Sequence, residues 1–446
     1  MKLKDLEVFV VKNPPPGWGG RYFIFVKLTT DNGIIGYGEV YSASVGPKAM
    51  EVIINDVFER HMMNENPENI EMMFRRTYSS GFTQRPDLSI IGAFSGLEIA
   101  CWDILGKAHD RPVYALLGGK MNDRIRSYTY LYPMDHHDIS KFWTSPEMQA
   151  ESAMEMINLG FTAIKFDPAG PYTARGGHMP ALTDIELSVK MCAAIRDVVG
   201  TKADLLFGTH GQFSTAGAIR LGRALEPYDP LWYEEPVPPD NISSMAKIAN
   251  SIRIPIATGE RLSTKNEFFQ VLKEGAASIL QPALGRSGGI LETKKIAAIA
   301  EVNNAHIAPH LYAGPVEWAA NIQLAVNIPN ILMAETILTG GGFSGDLIKN
   351  KIIWDDFTKK IQENSINAFA VNVSEYNDVE NRVFAKYFSF VGNAPSNTQF
   401  YITDSTSVYL KGSLYFDSKP NYDSLLPSIP LINHDIRKMI QTFNWK

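Results

Sequence analysis

Several short apolar runs in the middle of the chain end on residues that could do acid–base or metal chemistry. Glu234 follows "LWY", Glu260 follows "IPIATG" and Glu335 follows "ILMA". Lys165 lies near the end of "FTAIKF", and His310 ends "HIAPH". Carboxylate oxygens suit a hard divalent cation, while lysine and histidine can carry protons. Brought together, these residues would form a metal-assisted acid–base site.

The spacing of the run ends predicts the framework that would bring them together. From position 208 onwards, successive ends lie roughly 23 to 27 residues apart, which is the length of one β/α unit. This repeat predicts a closed β/α barrel. The alternative, a dinucleotide-binding sheet, is disfavoured because no GxGxxG motif follows an early strand. In a barrel, functional residues gather at the carboxyl ends of the strands. The ends fall at Lys165, Gly208, Glu234, Glu260, Ala283, His310 and Glu335.

One run end carries glycine where its neighbours carry carboxylates. "LLFGTHGQF" reaches its end at Gly208, and His210 follows two residues later. Side chains alternate along a strand, so Gly208 and His210 share one face. Asp167 shares a face with Lys165 on the preceding strand for the same reason. Either Asp167 or His210 could supply what Gly208 lacks.

Each of these residues also has a purely structural interpretation. A glutamate at a strand end can cap the following helix, and His310 can be a hydrogen-bonded loop residue. Asp167 precedes Pro168 in "FDPAG", a sequence typical of a turn or helix cap. Glu235 points to the face opposite Glu234, so we expect it to make a structural contact. The regular spacing of the whole set favours the functional interpretation.

Composition excludes several other classes of protein. The chain has 446 residues, 45% of them hydrophobic, and a formal net charge of −6, which argues against nucleic-acid binding. No apolar stretch approaches the roughly 20 residues that span a bilayer, and the N-terminal run is too short for a signal peptide. The two cysteines, Cys101 and Cys192, are expected to be buried reduced thiols. A cytoplasmic enzyme without membrane or nucleic-acid partners is the expectation.

Three further residues are predicted to contact a substrate. Trp18 lies in the glycine- and proline-rich loop "NPPPGWGGR", and Arg85 lies in "GFTQRPD". Loops of this kind can close over a site as lids, although ordinary structural loops are the alternative. Arg286, in "QPALGRSGGI", is the third.

Residues from about 3 to 350 resemble the enolase superfamily, in its mandelate racemase-like branch, and are most similar to sugar-acid dehydratases of the galactonate and mannonate type. The resemblance is specific because several segments carry it together. They are "GLEIACWDILGKAHDRPVYALLGG", "LEPYDPLWYEEPVPPDN", "IPIATGERL", "QPALGRSGGI" and "APHLYAGPV".

The resemblance implies a fold of the α/β class with three segments. Residues 1–122 would form an N-terminal α+β capping domain, and residues 123–355 a modified (β/α)₇β TIM-type barrel with the metal site. Residues 356–446 are irregular and β-rich, and we expect them to pack back on the capping domain. Family members are usually homo-oligomers.

The resemblance also implies roles for the residues at the strand ends. Glu234 and Glu260 match two of the three carboxylates that bind Mg²⁺ in the family. His310 matches the histidine base, His210 a histidine that helps to expel hydroxide, and Glu335 the strand-end glutamate. Lys165 is the rival base. The expected reaction is removal of the α-proton of a small carboxylate substrate, followed by β-elimination of water from a metal-stabilised enediolate.

Three departures from the family pattern affect this interpretation. The first metal ligand falls on Gly208, the second lysine of the K-x-K motif on Asp167, and the aspartate that orients the catalytic histidine on Ala283. We therefore expect Asp167 to complete the metal site with Glu234 and Glu260. His210 is the competing ligand, and it would favour Zn²⁺ or Mn²⁺ over Mg²⁺. Without its aspartate, His310 is expected to have a lower pKa than the matching histidine of its relatives, because no nearby anion would favour the charged form.

The main functional prediction is a Mg²⁺-dependent dehydratase of an aldonate or aldarate sugar acid. A racemase, epimerase or cycloisomerase would use the same enediolate without losing water. A non-catalytic carboxylate-binding protein with a degenerate site is the third alternative.

Overall fold

The computed structural model describes residues 1–13, 17–41, 44–170, 177–337, 368–379, 381–392, 398–403, 409–414 and 429–442. The chain divides into two compact units, Met1–Gly341 and Gly342–Lys446. The predicted boundary at residue 355 lies outside the described residues. Cys101 and Cys192 are free and buried, as predicted.

The N-terminal part of the first unit is an antiparallel sheet covered by helices. Strands β1 (Leu3–Lys12), β2 (Tyr22–Thr30) and β3 (Ile35–Val40) pair in chain order, as the alternation and the "DNG" turn predict. Four helices follow: α1 (Pro47–His61), α2 (Ile70–Tyr78), α3 (Leu88–Ala108) and α4 (Val113–Leu116).

Helix α3 is the core helix of this capping domain. It begins after Asp87, whose side chain accepts hydrogen bonds from the backbone N–H groups of Ser89 and Ile90. A Cβ atom on Gly38 of β3 would lie 1.8 Å from the carbonyl oxygen of Gly96, so glycine is required for the helix to approach the sheet this closely. By length and composition α3 could cross a membrane, but 72% of its apolar window is buried inside the protein.

Eight parallel strands form the barrel. Neighbours in the sheet follow the order β10-β9-β8-β7-β6-β5-β4-β11, and an isolated parallel bridge between Ile307 and Ile331 joins its two ends. The strands are β4 (Ser127–Tyr130), β5 (Ala163–Phe166), β6 (Asp204–Gly208), β7 (Trp232–Glu234), β8 (Ile256–Thr258), β9 (Ile279–Leu280), β10 (His306–Ile307) and β11 (Ala334–Thr336).

Helices surround the barrel between these strands. They are α5 (Ile139–Phe142), α6 (Pro146–Asn158), α7 (Leu182–Val199), α8 (Thr215–Leu225), α9 (Ile242–Ala249), α10 (Thr264–Lys273), α11 (Leu284–Ser287), α12 (Gly289–Val302) and α13 (Pro315–Asn327). Their buried faces pack against the outward residues of the strands in one large hydrophobic cluster. The predicted capping domain and β/α barrel are therefore confirmed.

Two buried glutamates of the capping domain bind barrel helices directly. The carboxylate of Glu98, on α3, accepts two backbone N–H groups at the start of α12, at 2.8 and 2.9 Å. The carboxylate of Glu39, on β3, accepts three backbone N–H groups at the start of α13, between 2.6 and 3.1 Å. Each carboxylate satisfies donors that an α-helix leaves unpaired and lies at the positive end of the helix dipole.

The described residues of the second unit form an antiparallel sheet and a helix. Strands β12 (Ala368–Asp378), β13 (Val383–Gly392), β14 (Thr398–Thr403) and β15 (Tyr409–Leu414) pair in chain order. Helix α14 (Ile429–Gln441) contributes Ile440 to a small core with Tyr387 and Ile402. The unit is β-rich, as expected, and its packing on the capping domain stays a prediction.

Candidate active site

The structure brings five of the predicted residues together at the carboxyl ends of the barrel strands. Lys165 Nζ lies 2.6 Å from Glu234 Oε1 and 3.5 Å from Glu335 Oε1. His310 Nδ1 lies 3.0 Å from Glu335 Oε2 and 3.4 Å from Glu260 Oε2. All five side chains are buried. Because the barrel places these strand ends around one face, residues 170 positions apart are direct neighbours.

The space left by glycine at position 208 is occupied by its neighbours. A Cβ atom on Gly208 would lie 3.0 Å from Lys165 Cε and 3.6 Å from His210 Cε1. The lysine stem therefore fills part of the volume that a side chain at 208 would take. This placement lets the Lys165 ammonium group reach Glu234 on β7.

His210 lies beside two carboxylates in an unusual backbone conformation. One ligand atom from each of His210, Glu234 and Glu260 falls within 4.8 Å of the others. The backbone of His210 has a φ of +52°, which non-glycine residues adopt rarely. The adjacent Gly211 N–H donates to the Glu235 carbonyl at 2.6 Å, which ties this turn to the end of β7. Two carboxylates and one imidazole are a donor set that fits a divalent cation.

Glu335 takes the place of the missing aspartate beside His310. Burial alone would lower the pKa of His310, but the Glu260 and Glu335 carboxylates raise it above its usual value. The expectation that no anion lies near His310 is therefore wrong, and the comparison of its pKa with that of its relatives stays a prediction. The sequence showed the loss of the aspartate at Ala283, but not that a carboxylate from β11 would lie at Nδ1.

The other charged groups of the site shift one another's pKa values. Burial would lower the pKa of Lys165, but Glu234 and Glu335 raise it well above its usual value. Burial would raise the pKa of Glu335, but Lys165 and His310 lower it to about 2. The pKa of Glu260 is lowered in the same way by His310 and His210, against the effect of burial. Lys165 is therefore charged, and Glu260 and Glu335 are ionised, near neutral pH.

Asp167 uses both of its carboxylate oxygens in hydrogen bonds. Oδ1 accepts the Ala169 N–H at 3.0 Å, forming the turn that "FDPAG" indicates. Oδ2 accepts Gln212 Nε2 at 2.8 Å. Burial raises the pKa of Asp167. Asp167 does not belong to the group of converging ligand atoms that contains His210.

Glu235 makes the structural contact that its position predicts. Its Oε2 atom lies 2.9 Å from Nη2 of Arg261, which is also 3.6 Å from Glu260 through Nε. Arg261 therefore links Glu235, the residue next to Glu234, to Glu260. Gln281 was not predicted, but its Nε2 donates to Glu234 Oε2 at 2.6 Å. Its only sequence signal is its position at the end of "ASILQ".

Aromatic residues cover one side of the barrel face. Trp18 stacks on Tyr132, just after β4, with ring centroids 4.6 Å apart, and Trp143 lies edge-on to Trp18 at 6.0 Å. Arg85, by contrast, lies in an exposed loop in which Phe82 is 94% exposed. The structure thus brings Trp18 to the barrel face and leaves Arg85 in solvent.

Arg286 packs against Tyr41 of the capping domain. Its Nη1 atom donates to the Glu260 carbonyl at 2.7 Å, and its guanidinium carbon lies 4.1 Å from the ring centre of Tyr41. Tyr41 follows β3 and has its ring centre 5.9 Å from that of His310. Sequence analysis missed Tyr41, because its position at the site depends on how the two domains pack.

A second histidine–carboxylate group has hydrogen bonding that opposes metal binding. His136 Nε2 and His137 Nε2 lie 3.1 and 3.0 Å from the Glu151 carboxylate. His137 Nδ1 accepts the Met134 N–H, so the ring proton lies on Nε2. A metal-bound imidazole normally needs its proton on the other nitrogen. This group is therefore a hydrogen-bonded cluster that anchors the loop after β4.

Comparisons with known proteins agree with this fold and site. Residues 17–118 match the family described as "Mandelate racemase / muconate lactonizing enzyme, N-terminal domain", and residues 148–363 match "Enolase C-terminal domain-like". Residues 325–445 match "Gliding motility lipoprotein GldD". The chain belongs to the enolase superfamily, in the mandelate racemase/muconate lactonizing enzyme branch.

Named relatives are sugar-acid dehydratases. The chain is 34% identical to the D-gluconate/D-galactonate dehydratase of Picrophilus torridus, over 75% of this chain and 83% of that protein. It is 33% identical to the D-xylonate dehydratase of Haloferax volcanii, over 78% and 82%. A solved mandelate racemase/muconate lactonizing enzyme from Sulfitobacter sp. is 73% identical, with a TM-score of 0.75 over 76% of this chain and 85% of that one. The predicted class, a hydro-lyase, is confirmed by these relatives.

Proposed function

We propose that this protein is a divalent-metal-dependent dehydratase of an aldonate or aldarate sugar acid. The names of the relatives support the substrate class. The observation that carries the proposal is the position of Glu260. It belongs to the converging group with His210 and Glu234, and it also lies 3.4 Å from His310. A cation site and a proton carrier are thus adjacent, as α-proton removal from a bound carboxylate requires.

Glu234 and Glu260 would hold the cation, for which the family predicts Mg²⁺. When bound, the cation would neutralise the substrate carboxylate and stabilise the negative charge that develops after α-proton removal. Lys165 would add a second fixed positive charge, because its pKa is raised by ion pairs with Glu234 and Glu335. Arg261 and Gln281 would hold the two glutamates in position.

His310 would take the α-proton through Nε2. Glu335 contacts Nδ1 at 3.0 Å, and Nε2 is buried without a hydrogen-bond partner among the described residues. The carboxylate fixes the ring orientation and leaves Nε2 as the nitrogen that meets the substrate. The same imidazolium would return its proton to the departing β-hydroxyl group, so that water leaves and an enol remains.

Contacts to the substrate would come from both domains. Trp18 would supply apolar cover, and Arg286, next to Tyr41, would supply a positive charge. Arg85 would contribute only if its exposed loop moved on substrate binding. A cytoplasmic location and a homo-oligomeric state belong to this proposal as predictions from the sequence.

A library of aldonic and aldaric acids, incubated with enzyme and divalent cation in D₂O, tests the proposal. We expect formation of a 2-keto-3-deoxy acid from at least one member, and its loss in His310→Asn. Deuterium incorporation at the α-carbon without loss of water would indicate a racemase or epimerase instead. Saturable binding of an acid without exchange or turnover would indicate a non-catalytic binding protein.

A further inference from the structure

We propose that His210 is the third protein ligand of the metal, in place of the carboxylate that Gly208 cannot supply, and that the site therefore prefers Mn²⁺, Co²⁺ or Zn²⁺ to Mg²⁺. The inference rests on the proposed function only in that the site holds a divalent cation. It concerns which ion this chain selects, and it can be tested without substrate.

The first support is the volume around position 208. The hypothetical Cβ position of Gly208 lies between Lys165 Cε at 3.0 Å and His210 Cε1 at 3.6 Å. The imidazole of His210 thus borders the space from which a side chain at 208 would reach the cation. Lys165 Cε and Tyr130 Cε2 also border that space, and the Lys165 ammonium group is paired with Glu234.

The second support is the convergence of donor atoms in a held conformation. One ligand atom each from His210, Glu234 and Glu260 lies within 4.8 Å of the others. A left-handed backbone conformation at a histidine costs about 1 kcal/mol, so it persists only where its surroundings enforce it. Here the flanking Thr209 and Gly211 hydrogen-bond to the backbone at the end of β7, including Thr209 Oγ1 to the Glu234 carbonyl at 2.7 Å. The turn that carries the imidazole is therefore attached to the strand that carries the first carboxylate.

The third support is that the rival ligand lies outside the converging group and holds the turn after β5. Asp167 accepts hydrogen bonds at both oxygens, from Ala169 N–H and from Gln212 Nε2. Moving it to the cation would break the turn after β5 and leave the buried amide of Gln212 without this partner. A ligand atom of His210 already lies within the group.

Donor chemistry then determines selectivity. Two carboxylates and a neutral imidazole carry one negative charge fewer than three carboxylates, and Mg²⁺ depends mainly on charge and oxygen donors. The Lys165 ammonium group beside Glu234 weakens the attraction for a hard cation further. Imidazole binds later first-row divalent ions more strongly than it binds Mg²⁺. The loss of one carboxylate should therefore lower Mg²⁺ affinity more than affinity for these ions.

Metal binding to the full chain without substrate tests the inference. Titration calorimetry should show Mn²⁺ and Co²⁺ binding at least about tenfold more tightly than Mg²⁺. The His210→Asn variant should lose at least about tenfold in affinity for Co²⁺ and less for Mg²⁺. Even loss of a residue that only hydrogen-bonds to a metal ligand typically weakens metal binding by about tenfold or more. The Asp167→Asn variant should keep both affinities. His109→Asn, at an exposed position in the capping domain, is the matched control.

Proton NMR of the Co²⁺-loaded protein identifies the ligand directly. A ligating imidazole should give one strongly shifted, solvent-exchangeable N–H resonance, present in wild type and His109→Asn and absent in His210→Asn. The inference is overturned if that resonance and the Co²⁺ affinity survive in His210→Asn, or if Asp167→Asn loses the affinity instead. A chain that passes these tests but dehydrates no acid would refute the proposed function and leave this inference intact.

Discussion

Nδ1 of His310 lies 3.0 Å from Oε2 of Glu335, a residue on the last barrel strand that also accepts the backbone N–H of Leu311 at 2.8 Å. One carboxylate thus orients the imidazole and fixes the backbone directly after it. In Glu335→Gln we expect turnover to fall by about 10²-fold or more, because the proton carrier loses its orienting anion. The rate of 2-keto-3-deoxy acid formation measures this, with the exposed Glu301→Gln as control. An unchanged rate would remove Glu335 from the reaction.

Gly208 should not tolerate even a methyl group without loss of activity. In Gly208→Ala the new Cβ would meet Lys165 Cε at 3.0 Å, so the lysine must shift away from Glu234. We expect turnover to fall about tenfold while the fold is retained, since the clash is with a flexible side chain. In Gly46→Ala the new atom meets nothing within 4 Å, which makes that variant the control. Equal activities of the two variants would contradict the proposed role of this packing.

Trp18 and Arg85 should differ sharply when replaced by alanine. Trp18→Ala removes the ring that stacks on Tyr132 at 4.6 Å, so we expect a higher KM and a lower kcat as water enters the site. Arg85 is exposed, and Arg85→Ala should change both constants less than about twofold. Steady-state kinetics with the best substrate would show the difference. A large effect at Arg85 would mean that its loop closes on substrate.

Loss of the Glu98 carboxylate should destabilise the first unit. In Glu98→Ala two backbone N–H groups at the start of α12 and the indole N–H of Trp102 lose their acceptor. Leaving these buried donors unpaired should cost roughly 2–4 kcal/mol. Urea unfolding followed by tryptophan fluorescence measures the change. Glu51→Ala, at an exposed site on α1, should stay within about 0.5 kcal/mol of wild type, and a similar value for Glu98→Ala would refute the capping role.

The buried carboxyl group of Glu317, in the first turn of α13, should make the stability of the fold depend on pH. Burial, with the Glu39 carboxylate nearby, raises its pKa from 4.5 to about 8. The folded state therefore binds a proton that the unfolded state releases between these values. The stabilisation that this proton provides is complete below about pH 4.5 and is lost as pH rises through about 8. Relative to Glu317→Gln, wild type should lose about 1.4 kcal/mol of stability per pH unit in that window. Urea unfolding at several pH values measures this. If the free energies of unfolding of the two proteins change with pH in the same way, the pKa of Glu317 is not raised.

The barrel could be predicted from the sequence because its strands and helices repeat with a nearly constant length. Strand β4 was missed, since "SYTYLYP" precedes the regular series and is aromatic rather than aliphatic. The predicted runs "ASILQPA" and "HIAPH" contain only two strand residues each. His310, the polar end of the second run, was nevertheless located correctly, because the direction of a run, rather than its length, determines which face of the barrel it reaches.

The contacts within the site could be predicted only in part. Positions at strand ends follow from the repeat, so Lys165, Glu234 and His310 were expected at one face. The pairing of His310 with Glu335 depends on the curvature of the closed sheet, which no local pattern encodes. Tyr41 lies beside His310 only because the capping domain packs on the barrel. For Asp167 the local signal "FDPAG" indicated the turn that the structure contains.

The two glutamates that bind helix starts across the domain boundary also affect how a substrate would enter. Separating the domains would expose Glu39 and Glu98 together with five backbone donors that they satisfy. A hinge motion of the whole capping domain would therefore break all of these bonds at once, whereas reordering of the loop around Trp18 breaks none of them. Admission to this enzyme should accordingly depend on loop kinetics, and exchanging that loop between relatives should alter substrate choice without disturbing the rigid frame beneath it.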